Sequence, residues 1–181
     1  MSGGAPGPES AALLFALDED LQIKGHVLPG RMTESGRLPE RYAGLQAIDQ
    51  IDTAERDRRD VIAADAVLII EGPASSAAAT DNICEEARRL ERPVFRFAPR
   101  ETDSRNAVEW LRRELPPGGS LYVSGTAFAD AFIKTYTFLR FFQEELRKFR
   151  GLHGPNTSQP HSEDHRGEFT EGLHLFRRRA M

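Results

Sequence analysis

The sequence has little cysteine and no long apolar run. A single cysteine, Cys84, among 181 residues excludes an internal disulfide framework and fits a reducing compartment, so we expect a cytoplasmic protein. No apolar run approaches the roughly 20 residues that cross a bilayer. No charged segment precedes the apolar stretch Ala11–Leu17, as a signal peptide requires. We therefore expect no membrane association.

An excess of positive charge is also missing. Lys and Arg total 24 against 28 Asp and Glu, which gives a net charge of −4. A dedicated nucleic-acid binder normally carries a basic footprint. The charge balance therefore argues against nucleic acid as a partner.

No arrangement typical of nucleophilic catalysis or of a metal site stands out. Cys84 lies among small and acidic residues, and we expect a buried, inert thiol there. We expect His26 to be a hydrogen-bonded structural residue rather than a base. His161 and His165 have a spacing that suits a metal only on a helix, and the nearby proline and glycine disfavour a helix. We predict no catalytic residue and no metal ligand.

Apolar periodicity predicts strands that alternate with helices. The predicted strands cover 21–28, part of 42–51 as an edge strand, 66–70, 93–97 and 121–124. The predicted helices cover 10–17, 53–63, 80–90, 103–115 and 129–150. This order is typical of right-handed βαβ units. We predict one α/β domain over residues 1–150, three-layered and Rossmann-like, with a mostly parallel sheet flanked by helices.

The composition changes at Gly151, where the chain becomes polar, aperiodic and rich in Pro and Gly. Such a segment buries too little apolar surface to fold alone, so we predict a disordered, flexible C-terminal tail over 151–181. Within it, Phe169–Arg179 combines apolar residues with three consecutive arginines. We predict that this short segment docks on a protein partner.

Three glycine-bearing segments follow predicted strands or precede predicted helices: Ser2–Gly7, Gly72–Thr80 and Gly125–Phe128. In open parallel sheets, ligands bind beyond the carboxyl ends of the strands, where loops meet helix N-termini. Glycine lets the backbone approach a ligand, and free N–H groups there favour an anion. Each segment is equally compatible with an ordinary turn. Together they predict a small anionic ligand.

The order of five segments resembles one family. SGGAPGPESAALLFAL, KGHVLPGRMTESGRLPERY, TAERDRRDVIAADAVLIIEGP, AATDNICEEARRLERPV and LYVSG are similar to the SLOG-type Rossmann proteins. The closest resemblance is to their circularly permuted branch, often labelled "putative molybdenum carrier". It spans residues 2–145, and Pro29–Tyr42 is its most specific part.

The resemblance implies a nucleotide-like or molybdenum-cofactor-like ligand at the strand ends. By position, the family's ligand-binding residues fall in several places of this sequence. They are the first glycine loop, the segment Pro29–Glu34 that forms the lip beside it, the two flanks of the central strand, and the second ligand-facing loop. The residues are Gly3, Gly4, Gly7, Pro29, Gly30, Arg31, Glu34, Arg56, Asp65, Gly72, Thr80 and Gly125.

The sequence also departs from the family pattern. Ala5-Pro6 replaces a Gln-Thr pair, Ala78-Ala79 replaces two glycines, and Thr126-Ala127 replaces Pro-Arg after the last strand. These changes remove hydrogen-bond donors, glycines and a phosphate-pairing guanidinium. They indicate a degenerate site that is weakened, altered or abandoned.

The family has an apolar strand before its glycine loop, whereas this sequence begins Met1-Ser2-Gly3. Without that strand, the edges of its neighbours would be exposed. Either the true start lies upstream, or a partner or the C-terminal tail fills the position.

Three functions remain open. We favour small-molecule binding without turnover. The first alternative is a nucleotide N-glycosidic hydrolase of the phosphoribohydrolase type, but Asn82 or Ile83 stands where its carboxylate is expected. The second is a ligand-free scaffold or interaction protein. The aromatic residues Phe138, Phe141 and Phe142 add apolar surface to the last helix, which favours a homo-oligomer.

Overall fold

The computed structural model describes residues 1–72 and 78–152. The predicted tail beyond residue 152, its docking segment and the middle of the Gly72–Thr80 loop lie outside the described residues. The described residues form five α-helices and seven β-strands. The helices are α1 (Pro8–Asp18), α2 (Thr53–Ala63), α3 (Ala78–Arg89), α4 (Glu101–Glu114) and α5 (Ala131–Leu152). The strands are β1 (Gly25–Val27), β2 (Met32–Thr33), β3 (Gly36–Arg37), β4 (Leu45–Ala47), β5 (Ala66–Ile70), β6 (Val94–Phe97) and β7 (Leu121–Gly125).

The central sheet consists of three parallel strands in the order β6-β5-β7. All five residues of β5 are buried, as expected for a strand covered on both faces. Leu68 packs on one face with residues of α1, α4 and α5, whereas Val67 packs on the other with residues of α2 and α3. The three-layer α/β fold with a parallel sheet is therefore confirmed.

A second parallel pair, β1 and β4, is linked to the central sheet by the first two residues of the chain. Val123 N–H donates to the Met1 carbonyl at 3.0 Å, and the Met1 amino group donates to the Leu121 carbonyl. On the other side, Ser2 N–H donates to the Lys24 carbonyl at 3.1 Å. Met1 and Ser2 thus form a bridge, two residues long, between the edge of β7 and the chain at the start of β1. These are the strand edges that were expected to be exposed.

Two strand predictions change in the structure. The strand predicted over 21–28 is shortened to β1, because only Gly25–Val27 pair with β4 and no described strand pairs with 21–24. The loop that begins at Pro29 contains the antiparallel pair β2–β3, whose strands have two residues each. Strands this short leave no alternating pattern in the sequence.

Helix α2 carries the residues that matter most for the site. Asp52 caps it, because its carboxylate accepts from Ala54 N–H at 2.9 Å and from Glu55 N–H. The predicted bounds of this helix are confirmed. With its first turn fixed at the carboxyl edge of the sheet, the helix places Arg56 and Asp57 beside the end of β7.

Candidate functional site

A cleft of about 440 Å³ opens at the carboxyl end of β7. The first loop, the β2–β3 hairpin, the starts of α2 and α3, and the segment after β7 surround it. The lining residues are Ala5, Pro6, Glu9, Leu28, Thr33, Glu34, Thr53, Arg56, Asp57, Thr80, Ile83, Ser124, Gly125, Thr126 and Ala127. This volume lies within the range of small-molecule sites.

The Glu9 carboxylate lies at the base of the cleft, with only 3% of the residue exposed. One of its oxygens, Oε2, accepts from Ala5 N–H at 3.0 Å. The other, Oε1, accepts from the Ser124 hydroxyl at 2.9 Å and from Arg56 Nη2 at 3.2 Å. Glu9 therefore takes an amide of the first loop that an anionic ligand would otherwise use.

Asp57 on α2, whose side chain is 20% exposed, completes this network. Its Oδ1 accepts from Arg56 Nε at 3.0 Å and from the Tyr122 hydroxyl at 3.0 Å. Arg56 Nη2 also contacts this oxygen at 2.5 Å. One guanidinium thus lies between two carboxylates, and the phenol of a fully buried tyrosine supports the second carboxylate.

The pKa values in this network follow from burial and charge. Burial raises the pKa of Glu9, while the Arg56 guanidinium acts in the opposite direction. Burial works to lower the pKa of Arg56, but the Glu9 and Asp57 carboxylates outweigh it and hold that pKa above its usual value. Burial also raises the pKa of Tyr122 well above its usual range. At neutral pH, Arg56 is therefore a cation and Tyr122 a hydrogen-bond donor.

A second network fixes Thr80 at the opposite wall of the cleft. Its hydroxyl donates to Glu71 Oε1 at 2.5 Å. Arg96 bonds the same carboxylate through Nη2 at 2.6 Å and reaches Asp81 through Nη1 at 2.8 Å. These ion pairs hold the end of β5 and the start of α3 together, so the position of Thr80 is defined from two sides.

A smaller cavity of about 260 Å³ adjoins the cleft between α2 and α3. The two share Thr53, Asp57 and Ile83 as lining residues, and the smaller one adds Arg58 and Asn82. Asp57 therefore stands where the two spaces meet. An elongated ligand could extend from one into the other.

Four of the predicted site residues line the cleft: Glu34, Arg56, Thr80 and Gly125. Glu34 is exposed at its lip. Gly72 lies just behind, and its N–H donates to the Thr126 hydroxyl at 3.4 Å.

The glycines of the first loop are explained by close packing. A Cβ at Gly3 would lie 2.7 Å from Arg56 Nε, and one at Gly4 would lie 2.5 Å from a methyl group of Leu38. Gly7 is the residue before α1. Gly3 and Gly4 therefore bring the loop against Arg56 and Leu38, whereas Gly7 has a φ of +91° that favours glycine.

The remaining predicted site residues are not in the cleft lining. Pro29 and Gly30 form a 3₁₀ turn with Arg31, whose guanidinium donates to the carbonyls of Pro39 at 3.2 Å and Tyr42 at 3.0 Å. Asp65 lies at the other end of β5, where it accepts from Ser120 N–H at 2.6 Å. Arg31 therefore holds the loop at the lip of the cleft together through backbone carbonyls. Asp65 is separated from the cleft by the length of β5.

Sequence reasoning missed three residues of the network: Glu9, Asp57 and Ser124. Glu9 stands in the first turn of α1, and the carboxylate of Asp57 is adjacent in sequence to Arg56. Ser124 interrupts the apolar run of β7 at the strand's carboxyl end. A polar residue in such a place is the signal that could have identified it.

The predictions for His26, for Cys84 and for a metal site concern parts of the chain outside the cleft. His26 Nδ1 lies 2.8 Å from Asp60 Oδ1, which confirms a hydrogen-bonded histidine. Cys84 is buried, as predicted, and burial raises its pKa. Within residues 1–72 and 78–152, no three His, Cys, Asp or Glu side chains converge as a metal site would need. In the same part of the chain, no helix is both long and apolar enough to span a membrane.

The fold and the cleft define a Rossmann-like protein with a small-molecule-sized site at the carboxyl edge of a parallel sheet. The model of the circularly permuted YpsA SLOG family matches residues 1–127. The chain belongs to this family, which confirms the resemblance drawn from its sequence.

One solved structure is similar over most of the chain. It is titled "Putative molybdenum carrier protein" and comes from Syntrophus aciditrophicus SB. The identity is 25%, the TM-score is 0.69, and the match covers 78% of this chain and 91% of the other. Among curated proteins, none matches this chain significantly.

Proposed function

We propose that this protein binds a nucleotide-like or molybdenum-cofactor-like small molecule in the cleft and does not turn it over. The observation that carries the proposal is the Glu9–Arg56–Asp57 network at the base of a 440 Å³ cleft, in which Glu9 and Arg56 are buried. Buried charges cost free energy unless they are paired, and such networks cluster at functional sites. Membership of the SLOG family supports a small-molecule ligand.

The distribution of charge indicates how the ligand would lie. Glu9 already accepts from Ala5 N–H, so an anionic group of the ligand is better placed away from Glu9, near the segment Gly125–Ala127. Hydroxyl or amino groups of the ligand would donate to Asp57 and to Glu34 at the lip. A nucleotide carries both kinds of group, whereas molybdate carries only the anionic kind.

The absence of turnover is supported by the pairing of both carboxylates. Glu9 and Asp57 both accept from Arg56, so either carboxylate would have to leave this ion pair before it could act on a bound ligand. The substitutions seen in the glycine motifs agree with a site that retains binding in altered form. A cytoplasmic location and homo-oligomer formation remain part of the proposal.

The test is isothermal titration calorimetry of the full chain with ribonucleoside 5′-monophosphates, molybdate and the pterin cofactor. We expect one of the organic ligands to bind and Asp57→Asn to weaken it at least about tenfold, the loss of one charge-assisted hydrogen bond. Glu55→Gln is the matched control, because Glu55 lies on the same helix outside the cleft. If none of these compounds binds, the proposal is wrong and the ligand-free scaffold is the better account.

One observation favours the hydrolase as a second candidate. Glu9 is a buried carboxyl whose pKa is raised by burial, which is the property of a general acid for glycosidic cleavage. Release of free base from ribonucleoside monophosphates tests it directly. Release that disappears in Glu9→Gln and persists in Glu55→Gln would establish the hydrolase and overturn binding without turnover.

A further inference from the structure

An apolar cavity of about 110 Å³ lies between β7 and the chain that precedes β1. Gly118–Leu121 line one side and Leu21–Lys24 line the other. Phe15 of α1 and the α5 residues Leu139 and Phe142 cover it. The cavity stands at the amino end of β7, the opposite edge of the sheet from the cleft, so it is separate from the proposed ligand site.

The cavity lies in line with the backbone of Met1 and Ser2, which contribute to its lining. These two residues pair with Leu121 and Val123 on one side and with Lys24 on the other. Ser120 accepts from the N–H groups of Asp65 and Ala66 at the start of β5. On the opposite side, no described strand lies between residues 118–120 and residues 21–24. The backbones of residues 21–24 and 118–120 therefore face each other across a space that a strand would occupy in a continuous sheet. The walls of this space are largely apolar.

Helix α5 brings the rest of the chain to this edge of the sheet. Arg147 Nη2 lies 2.9 Å from Glu19 Oε2, and Glu19 is two positions before Leu21 of the cavity wall. The helix ends at Leu152. The following residues, 153–168, reach at most about 50 Å when extended, which is more than enough to return to the cavity.

The segment beyond has the composition that the cavity requires. Residues 169–176 read FTEGLHLF, with apolar side chains at 169, 173, 175 and 176. Leu173 and Leu175 are two positions apart, so in a strand they lie on the same face. Three arginines, 177–179, follow. Asp18 and Asp20 are exposed at the edge of the cavity and offer the opposite charge.

We propose that residues 169–176 of the same chain occupy this cavity, with Leu173 and Leu175 as the apolar anchors. The segment adds backbone between β7 and 21–24 and extends the strand position that Met1 and Ser2 begin. This is the addition of a strand to an open sheet edge, with a segment of the same chain as the added strand. It also removes apolar surface that would otherwise favour association between molecules.

The first test is a disulfide cross-link in the full chain. We introduce Gln22→Cys together with His174→Cys; position 22 is an exposed part of the cavity wall, and the native Cys84 is buried. The matched control combines Gln46→Cys, exposed on β4, with His174→Cys. We expect an intrachain 22–174 disulfide that forms at least about tenfold faster than the 46–174 control. Equal rates, or a cross-link between two chains, would overturn the proposal.

The second test keeps the proposal falsifiable if the cysteine variants fold poorly. Hydrogen exchange of the full chain follows the amides of 22–24 and 119–121. We expect Leu175→Asp to make them exchange about tenfold faster, whereas Thr157→Asp, in the stretch that precedes the segment, leaves them unchanged. No change with Leu175→Asp would show that the tail does not occupy the cavity.

Discussion

The hydroxyl of Ser124 donates to the carboxylate of Glu9 across 2.9 Å, although 115 positions separate the two residues. This bond joins the end of β7 to the first turn of α1. It fixes the carboxylate that also accepts from the first loop and from Arg56. The base of the cleft is therefore formed by internal contacts before any ligand enters.

The first prediction concerns Arg56, whose side chain is 8% exposed and lies between Glu9 and Asp57. Arg56→Met leaves two carboxylates without their cation, and we expect it to lower the free energy of unfolding by about 3–5 kcal/mol. Urea denaturation measures the loss. Arg58→Met is the control: its ion pairs with Glu55 and Glu86 are half exposed, so we expect a loss below about 1 kcal/mol. Equal losses would contradict a central role for Arg56.

The second prediction concerns Asp60, which is buried and hydrogen-bonded to the partly exposed His26. Burial raises the pKa of Asp60 above 3.8, and the hydrogen bond from His26 only partly offsets this. The folded state therefore holds the proton of Asp60 at pH values where the unfolded state has lost it. The free energy of unfolding then falls as pH rises from about 3.8 through the raised value.

We expect Asp60→Asn to flatten this decline, because the amide oxygen still accepts from His26 but no longer ionises. Urea denaturation at a series of pH values between 3.5 and 7 gives the slope, on the order of at most 1.36 kcal/mol per pH unit for one proton. Asp49→Asn, at an exposed position, makes the same charge change outside the core. A slope that Asp60→Asn leaves as steep as in the unmodified protein would contradict the prediction.

The third prediction concerns the close approach of β7 and β5 at the cleft. A Cβ at Gly125 would lie 1.9 Å from the Ile70 carbonyl oxygen, which accepts from Thr126 N–H at 3.1 Å. Gly125→Ala must displace this carbonyl, so we expect a loss of about 1–3 kcal/mol in the free energy of unfolding. Hydrogen exchange should show the Thr126 amide losing its protection. A Thr126 amide that stays fully protected would mean that the strands do not meet as described.

Much of the fold was predictable because its signals are local. The bounds of α2 and β5 follow from a capping Asp52 and a continuous apolar run, and the structure has both as predicted. The bridge formed by Met1 and Ser2 was not predictable, because two residues carry no periodicity. The hairpin β2–β3 was missed for the same reason.

The site was predictable only in part. Four residues that the family resemblance implied for the site line the cleft: Arg56, Thr80, Gly125 and Glu34. Their positions follow from the order of the motifs in the sequence. It could not show that Glu9 takes the loop amide, because this contact depends on how α1 packs against β7. The sequence-based prediction of an anionic ligand rested on free amides in three glycine-bearing segments, and it stays a prediction.

Calorimetry on a pair of tryptophan variants tests the central claim most directly. Ala127 is exposed and lines the cleft, whereas Ala129, two positions further on, is also exposed and does not line it. We expect Ala127→Trp to fill the cleft and abolish binding of the nucleotide or cofactor that the unmodified protein binds, while Ala129→Trp binds it with unchanged affinity. Unchanged binding by Ala127→Trp would place the ligand elsewhere and contradict the account.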